Sequence, residues 1–244
     1  MRKYGLIGYP LSHSFSQAYF SEKFKKEGIV ECQYLNFPLR DITELPQILS
    51  AGEGLSGLNV TIPYKQKVLA YVDFPDKVVL ETGACNCIRI LQGRTYGYNT
   101  DVMGFETALK KKLQPWHSRA LVLGTGGASR AVVYVLQKLA IPFLMVSRKP
   151  TGDKQIGYDQ LSEALVESHT LIVNSTPLGM YPEVDSCPDI PYQMLGASHY
   201  LFDLVYNPAK TIFLQRGESR GAAIENGLSM LELQAEESWR IWNS

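Results

Sequence analysis

Leu121-Val-Leu-Gly124-Thr-Gly126-Gly127-Ala128-Ser-Arg-Ala131 is the stretch whose reading decides the fold. With Ala120 before it, it opens as a fully apolar run, the composition of a strand buried on both faces of a parallel sheet. Three glycines follow at once, and residues 129–139 continue at helical spacing. A glycine turn alone is compatible with any strand-to-helix connection. Strand, glycine turn and helix in this order make a diphosphate site, because glycine permits the tight turn and close approach while the helix N-terminus offers free N–H groups and a favourable dipole. Gly124, Gly126, Gly127 and Ala128 are therefore candidate cofactor residues.

Downstream, a strand at 143–147 ends in Ser147-Arg148-Lys149, about 20 residues on, where an NAD site usually carries an acidic residue for the ribose hydroxyls. Two cations stand there instead. Read alone they are solvated loop charges; after a glycine turn, the planar fork of Arg148 suits a 2′-phosphate and Lys149 adds a point charge, so NADP is favoured over NAD. A helix at 158–167 and strands at 170–174 and 201–205 continue a Rossmann-like rhythm. The last helix is expected to open at Ser229-Met-Leu-Glu232, which has the spacing of a capping box.

Upstream, strands are expected at 4–9, 33–37 and 58–62. They alternate with a helix at 14–27 stopped by Gly28, a helical stretch at 42–49 and a helix at 65–71, an α/β pattern. The rhythm then changes to a hairpin, 85–91 and 95–99, around Gln92-Gly93. A helix at 102–113 leads into the glycine-bearing half and marks a domain boundary.

The chain of 244 residues is long enough for two small domains, and its apolar fraction of 45% is that of a packed globular protein. The 24 basic and 24 acidic residues cancel without any run of one sign, which argues against nucleic acid or a membrane surface as partner. Cys32, Cys85, Cys87 and Cys187, with four scattered histidines, lack metal-ligand spacing, so no metal is expected. The N-terminal MRKYGLIGYPLSHS has no long apolar h-region or small-residue cleavage site, and no run approaches the roughly 20 apolar residues of a membrane span, so the expected location is the cytoplasm.

The N-terminal half carries more polar residues at strand ends than packing requires. Ser12, Ser14 and Ser16 follow the first strand. Ser14 with Gln17 has capping-box spacing, which would account for one serine; hydroxyls beside a helix N-terminus also suit a carboxylate. Asn59, Thr61 and Lys65 end the third strand, and Asn86, Asn99 and Asp101 flank the hairpin. A lysine and an aspartate meeting in a cleft would form an acid/base pair, though the spacing alone does not bring them together.

Taken in order, these blocks resemble the shikimate dehydrogenase family over essentially the whole chain: Gly8-Tyr-Pro10 with Ser14 and Ser16, Asn59-Val-Thr61 with Lys65, Gly83-Ala84 with Asn86, and Asn99-Thr-Asp101. The glycine turn follows, then Asn174-Ser-Thr176-Pro177-Leu-Gly179-Met180, Asp203-Leu-Val-Tyr206-Asn-Pro208, and Gly227-Leu-Ser-Met230-Leu231 with Gln234. The resemblance implies an N-terminal α/β substrate-binding domain of residues 1–101 and 227–244, a C-terminal Rossmann-like NADP-binding domain with a parallel sheet at 102–226, and substrate held between them. It implies NADP-dependent interconversion of shikimate and 3-dehydroshikimate, a step of aromatic biosynthesis. By motif, Ser14 and Ser16 would hold the carboxylate; Asn59, Thr61, Asn86, Asp101 and Gln234 would bind ring hydroxyls; Tyr206 would border the substrate; Lys65 and Asp101 would be the catalytic pair; and Thr176 and Gly227 would join the cofactor residues. The expected partner is the small-molecule substrate, with a homodimer left open. The chain departs from the family in having Gln17 where Pro is usual and Ser147-Arg148-Lys149 where Asn-Arg-Thr is common. A quinate or dual quinate/shikimate dehydrogenase using NAD or NADP is the alternative. A non-catalytic NADP-binding regulator should have lost Lys65 or Asp101, and a reductase with a merely oligomerising N-terminal half would not need its polar clusters.

Overall fold

The computed structural model describes residues 1–11 and 14–244; Ser12, one of the three clustered serines, and His13 lie outside the described residues. The chain divides into two compact units, Met1–Thr100 with Ala235–Ser244, and Asp101–Gln234.

The first unit contains β1 (Arg2–Gly8), α1 (Phe15–Lys26), β2 (Cys32–Pro38), α2 (Leu45–Ala51), β3 (Leu55–Val60), β4 (Phe74–Pro75), α3 (Lys77–Thr82), β5 (Cys87–Leu91) and β6 (Arg94–Tyr98). Its sheet runs β2-β1-β3-β5-β6-β4. The central β1 pairs in parallel with β2 and β3, and the hairpin then turns the sheet mixed, with β5 antiparallel to both β3 and β6. Leu91 pairs with Arg94, so the hairpin loop is the two residues Gln92 and Gly93, at φ 51° and 74°. Left-handed backbone at both positions matches the twist of the flanking strands, and glycine adopts it without strain. The expected helix at 65–71 is a five-residue 3₁₀ helix, Lys67–Tyr71.

One side of this unit is aromatic. Tyr4 stacks on Trp242 with ring centroids 4.8 Å apart, Phe20 stacks on Tyr34 at 4.6 Å, and the Trp242 indole N–H donates to the Ile88 carbonyl at 3.0 Å. Aromatic pairs in this geometry contribute roughly 0.5–1.5 kcal/mol beyond their buried area. They tie the chain's last residues to its first strand.

The second unit contains α4 (Thr100–Lys110, which begins one residue before it), β7 (Ala120–Leu123), α5 (Gly127–Lys138), β8 (Phe143–Val146), β9 (Gln155–Ile156), α6 (Glu163–Ser168), β10 (Leu171–Asn174), β11 (Tyr200–Asp203), α7 (Ile212–Ser219), β12 (Ala223–Glu225) and most of the first half of α8 (Leu228–Trp242). The sheet order is β12-β11-β10-β7-β8-β9, parallel throughout. The chain moves outward from β7 to β9, returns to β10 and moves outward again, which is the doubly wound Rossmann order. All four residues of β7 and all four of β10 are buried, as strands covered on both faces must be.

Two expected caps are corrected. The last helix begins at Leu228, so Ser229 lies inside it; Asn226 Oδ1 accepts from the Leu228 N–H at 3.1 Å and does the capping. Ser14 stands at the N-cap of α1 but makes no side-chain cap bond, and the reciprocal half of the box is missing as well, since Gln17 Oε1 accepts from Asn36 Nδ2 on β2 at 2.9 Å.

Candidate active site

In the second unit the order of strands reverses between β7 and β10, and ligands of doubly wound sheets bind outside the carboxyl ends of strands at such a reversal. A cavity of about 900 Å³ opens there. Gly124, Thr125 and Gly126 from the turn after β7, Ser147, Arg148 and Lys149 from the turn after β8, and Ser175 to Leu178 from the turn after β10 all line it. Gly124 sits at φ 101°, and a Cβ added to it would stand 2.9 Å from Thr176 Cγ2, so both backbone and space demand glycine. A Cβ at Gly126 or Gly127 would meet nothing within 4 Å. That open space lies before the N-terminus of α5, a 12-residue helix with no acidic residue in its first turn. Open glycines, a helix N-terminus and two cations fit a phosphorylated dinucleotide.

The turn after β8 is held by its own serine. The Ser147 N–H donates to the Ile156 carbonyl at 2.9 Å, and its hydroxyl accepts from the Lys149 N–H at 3.2 Å. Arg148 and Lys149 are exposed at the rim. Tyr158, Cys187 and Asp189, which no motif marks, line the same cavity. Burial raises the Tyr158 phenol, with the Arg148 cation opposing the shift and the Asp189 carboxylate adding to it. Gly127 and Ala128 open α5 outside the lining. Gly227 also lies outside it: its N–H donates to the Val205 carbonyl at 3.0 Å, and a Cβ there would collide with the Leu204 carbonyl oxygen. Its service is close packing before α8.

In the first unit, three of the expected substrate residues fall on one hydrogen-bonded chain. Ser16 bonds the Tyr34 phenol, whose O–H donates to Asn59 Oδ1 at 2.8 Å; Asn59 Nδ2 donates to the Asn86 carbonyl at 3.3 Å and to Ser238 Oγ at 2.9 Å. Asn86 Oδ1 accepts from the Thr100 N–H at 2.7 Å, and Ser238 and Thr100 join hydroxyls at 3.2 Å. Buried polar groups must be paired in this way, and Asn59, 4% exposed, has three of its four amide valences taken by the protein itself. Two polar atoms of the neighbouring segments are left over. Ser14 Oγ and Asn99 Oδ1 are buried with no hydrogen-bond partner among the described residues. A buried hydroxyl of this kind costs free energy unless a ligand completes it.

Thr61 follows β3, with its N–H donating to the Ile7 carbonyl at 2.9 Å. Lys65 is half-buried; its carbonyl accepts from the Cys85 N–H at 2.7 Å, and the residue before it, Tyr64, is buried and donates its phenol to the Leu39 carbonyl at 2.7 Å. Of the expected residues in the second unit, Asp101 is buried in the first turn of α4, where the helix dipole favours a carboxylate. Gln234 is buried on α8 with its Nε2 donating to the Leu231 carbonyl at 3.0 Å, and Tyr206 is half-buried, its phenol raised by burial.

Known proteins share this fold. Residues 6–88 match the family model described as the shikimate dehydrogenase substrate binding domain. A protein of Methanococcus maripaludis named shikimate dehydrogenase (NADP(+)) is 36% identical over 256 residues, covering 98% of this chain and 90% of that one. Among solved structures, shikimate 5-dehydrogenase from Thermus thermophilus in complex with NADP(H) and shikimate superposes with a TM-score of 0.87 at 29% identity, covering 99% of this chain and 93% of that chain. Quinate dehydrogenase from Corynebacterium glutamicum in complex with NAD reaches 0.86 at 25% identity with the same coverage. A mixed-sheet unit carrying a polar network, a Rossmann unit with a cation-rimmed cavity, and this identity along nearly the full length together mean that the chain belongs to the shikimate dehydrogenase family.

Proposed function

We propose that this chain interconverts 3-dehydroshikimate and shikimate with NADP as its redox partner, in the aromatic biosynthesis that leads to chorismate, acting in the cytoplasm. The observation that carries this reading is the cavity in which the glycine turn after β7 and the cations Arg148 and Lys149 share one lining, in a chain 36% identical to a relative of that name. The dinucleotide, when bound, supplies the hydride chemistry. Gly124, Gly126, Gly127 and Ala128 frame its diphosphate; Ser147 holds the turn from which Arg148 and Lys149 take the 2′-phosphate; Thr176 faces the same space; and Gly227 acts only through packing.

The first unit holds substrate. Ser14 and Ser16 take the carboxylate, a role supported by the unpartnered Ser14 hydroxyl. Thr61 and Asn86 contact the ring, whereas Asn59 mainly positions the others, since three of its four amide valences are engaged by Tyr34, Asn86 and Ser238. Lys65 takes the hydroxyl proton from shikimate and, as an ammonium, polarises the ketone in the reverse direction, with Asp101 as its acidic counterpart.

Initial rates of nicotinamide reduction, crossing shikimate and quinate against NADP and NAD, test the assignment. Fast turnover with shikimate and NADP alone is the expected result; preference for quinate or NAD moves the chain to the quinate side of the family, and no turnover with any pair refutes an enzymatic role. Ser14→Ala is expected to raise the Michaelis constant for shikimate roughly tenfold, the value of one hydrogen bond to a charged group, with little change in kcat. Because no described residue bonds that hydroxyl, the urea midpoint should stay where it is. A drop in stability without a change in KM would return Ser14 to a structural role.

A further inference from the structure

Behind the cavity, β10 and β11 end side by side in a pair of fully buried polar residues, Asn174 and Asp203, both 0% exposed. Asp203 Oδ1 accepts from Asn174 Nδ2 at 2.9 Å and from the Val205 N–H at 3.0 Å, while its Oδ2 accepts from Thr211 Oγ1 at 2.6 Å. Burial pushes this carboxyl up to about 6 against the pull of those three donors, and it accepts at both oxygens. An ionised carboxylate only accepts. The Asn174 amide must therefore present its NH₂ to Asp203, and its oxygen points the other way. There Asn174 Oδ1 accepts from the Thr176 N–H at 3.1 Å and the Thr176 hydroxyl at 2.6 Å, and Thr176 Oγ1 accepts from the Leu178 N–H at 3.3 Å. With the hydroxyl held back in this way, the Thr176 methyl is the group that stands over Gly124. Thr176 and Gly124 both line the cavity; Asp203 and Asn174 do not.

We propose that Asp203 is a positioning residue for the dinucleotide: by fixing the Asn174 amide it locks the rotamer of Thr176, and so shapes the cavity floor beneath the glycine turn. The inference rests on reading that cavity as the NADP site. Without the carboxylate, the Asn174 NH₂ loses its short acceptor and keeps only the Leu178 carbonyl at 3.5 Å, so the amide can shift, its hold on the Thr176 hydroxyl loosens, and the methyl can rotate into the space the diphosphate needs. Asparagine at 203 preserves the lock. Two N–H donors converge on Oδ1, so the new amide would place its oxygen there and turn its NH₂ toward Thr211 Oγ1, which can accept.

The test is the Michaelis constant for each substrate in the full-length chain, with NADP binding to the wild type measured first. Asp203→Ala is expected to raise the NADP constant about tenfold or more, the worth of one well-placed hydrogen bond in a site, while the shikimate constant and kcat at saturating NADP stay within about twofold. Asp203→Asn is expected to keep the wild-type NADP constant, and Asp203→Ala in a Thr176→Val background to add nothing to Thr176→Val alone. A merely structural aspartate would instead lower kcat or disturb both constants. Should Asp203→Ala not fold, Thr176→Val carries the question, since it cuts the last link of the relay: an unchanged NADP constant overturns the inference. So does Asp203→Ala with wild-type NADP affinity. A wild type that binds no NADP would instead refute the reading of the cavity itself.

Discussion

Replacing Lys65 with alanine is expected to lower kcat on the order of 10²- to 10⁴-fold while shikimate still binds, the usual effect of removing a group that moves a proton in the transition state. Oxidising an alcohol requires the hydroxyl proton to leave as the carbon gives up its hydride, and a positioned lysine can take it. The environment favours such a clean result. Lys65 is held by its backbone, through the Cys85 N–H, and by the buried Tyr64 ring beside it, so truncating the side chain leaves both anchors in place. Binding of shikimate by calorimetry together with kcat from initial rates gives the needed split. Lys65→Arg separates the two roles assigned to the lysine: a guanidinium can polarise a ketone but cannot give up its proton near neutral pH, so it is expected not to restore turnover. Turnover unchanged in Lys65→Ala would remove this residue from the mechanism.

The parts of the fold that were legible in the sequence were those governed by local patterns. The apolar run of β7, the glycine turn and the helix after it lie within about 20 residues, and their periodicity does not depend on distant partners. The Gln92-Gly93 hairpin is equally local. Caps proved less readable, because a capping box is a spacing that tertiary contacts can override: Gln17 pairs with Asn36 from the neighbouring strand, and the last helix starts one residue before Ser229. The short α3 and α7, six and eight residues, went unexpected because neither is long enough to display a helical period.

The site divides in the same way. Glycines and cations at turns carry their chemistry in their identity, so Gly124 and Arg148 could be named from the chain alone, whereas Thr176 entered only through the family resemblance. Tyr158, Cys187 and Asp189 reach the cavity only because the sheet brings distant segments together, and no local signal marks them. Asn59 shows what spacing leaves out. Its place in a motif suggests a ligand contact, yet its amide is already engaged by Tyr34, Asn86 and Ser238, which only the packed structure reveals. Residue type names the candidates; hydrogen-bond accounting decides which of them still have a valence to offer.

Arg148→Ala is expected to raise the Michaelis constant for NADP by about 10- to 100-fold while leaving that for NAD within about twofold. A charge-assisted hydrogen bond contributes about 1.5–3 kcal/mol, and each 1.4 kcal/mol is a factor of ten in affinity. Only NADP carries the 2′-phosphate that such a bond would reach, so the loss should fall on one cofactor and not the other. Two features keep the effect from being larger. Lys149 remains on the same turn, tied through its N–H to Ser147, and the exposure of both cations lets salt screen them. It follows that the wild-type preference for NADP should itself shrink as ionic strength rises from low to physiological, and that Arg148→Ala should flatten this dependence. Initial rates with both cofactors at several salt concentrations check the two expectations together. Equal changes for NADP and NAD would make Arg148 a surface charge with no part in telling the cofactors apart.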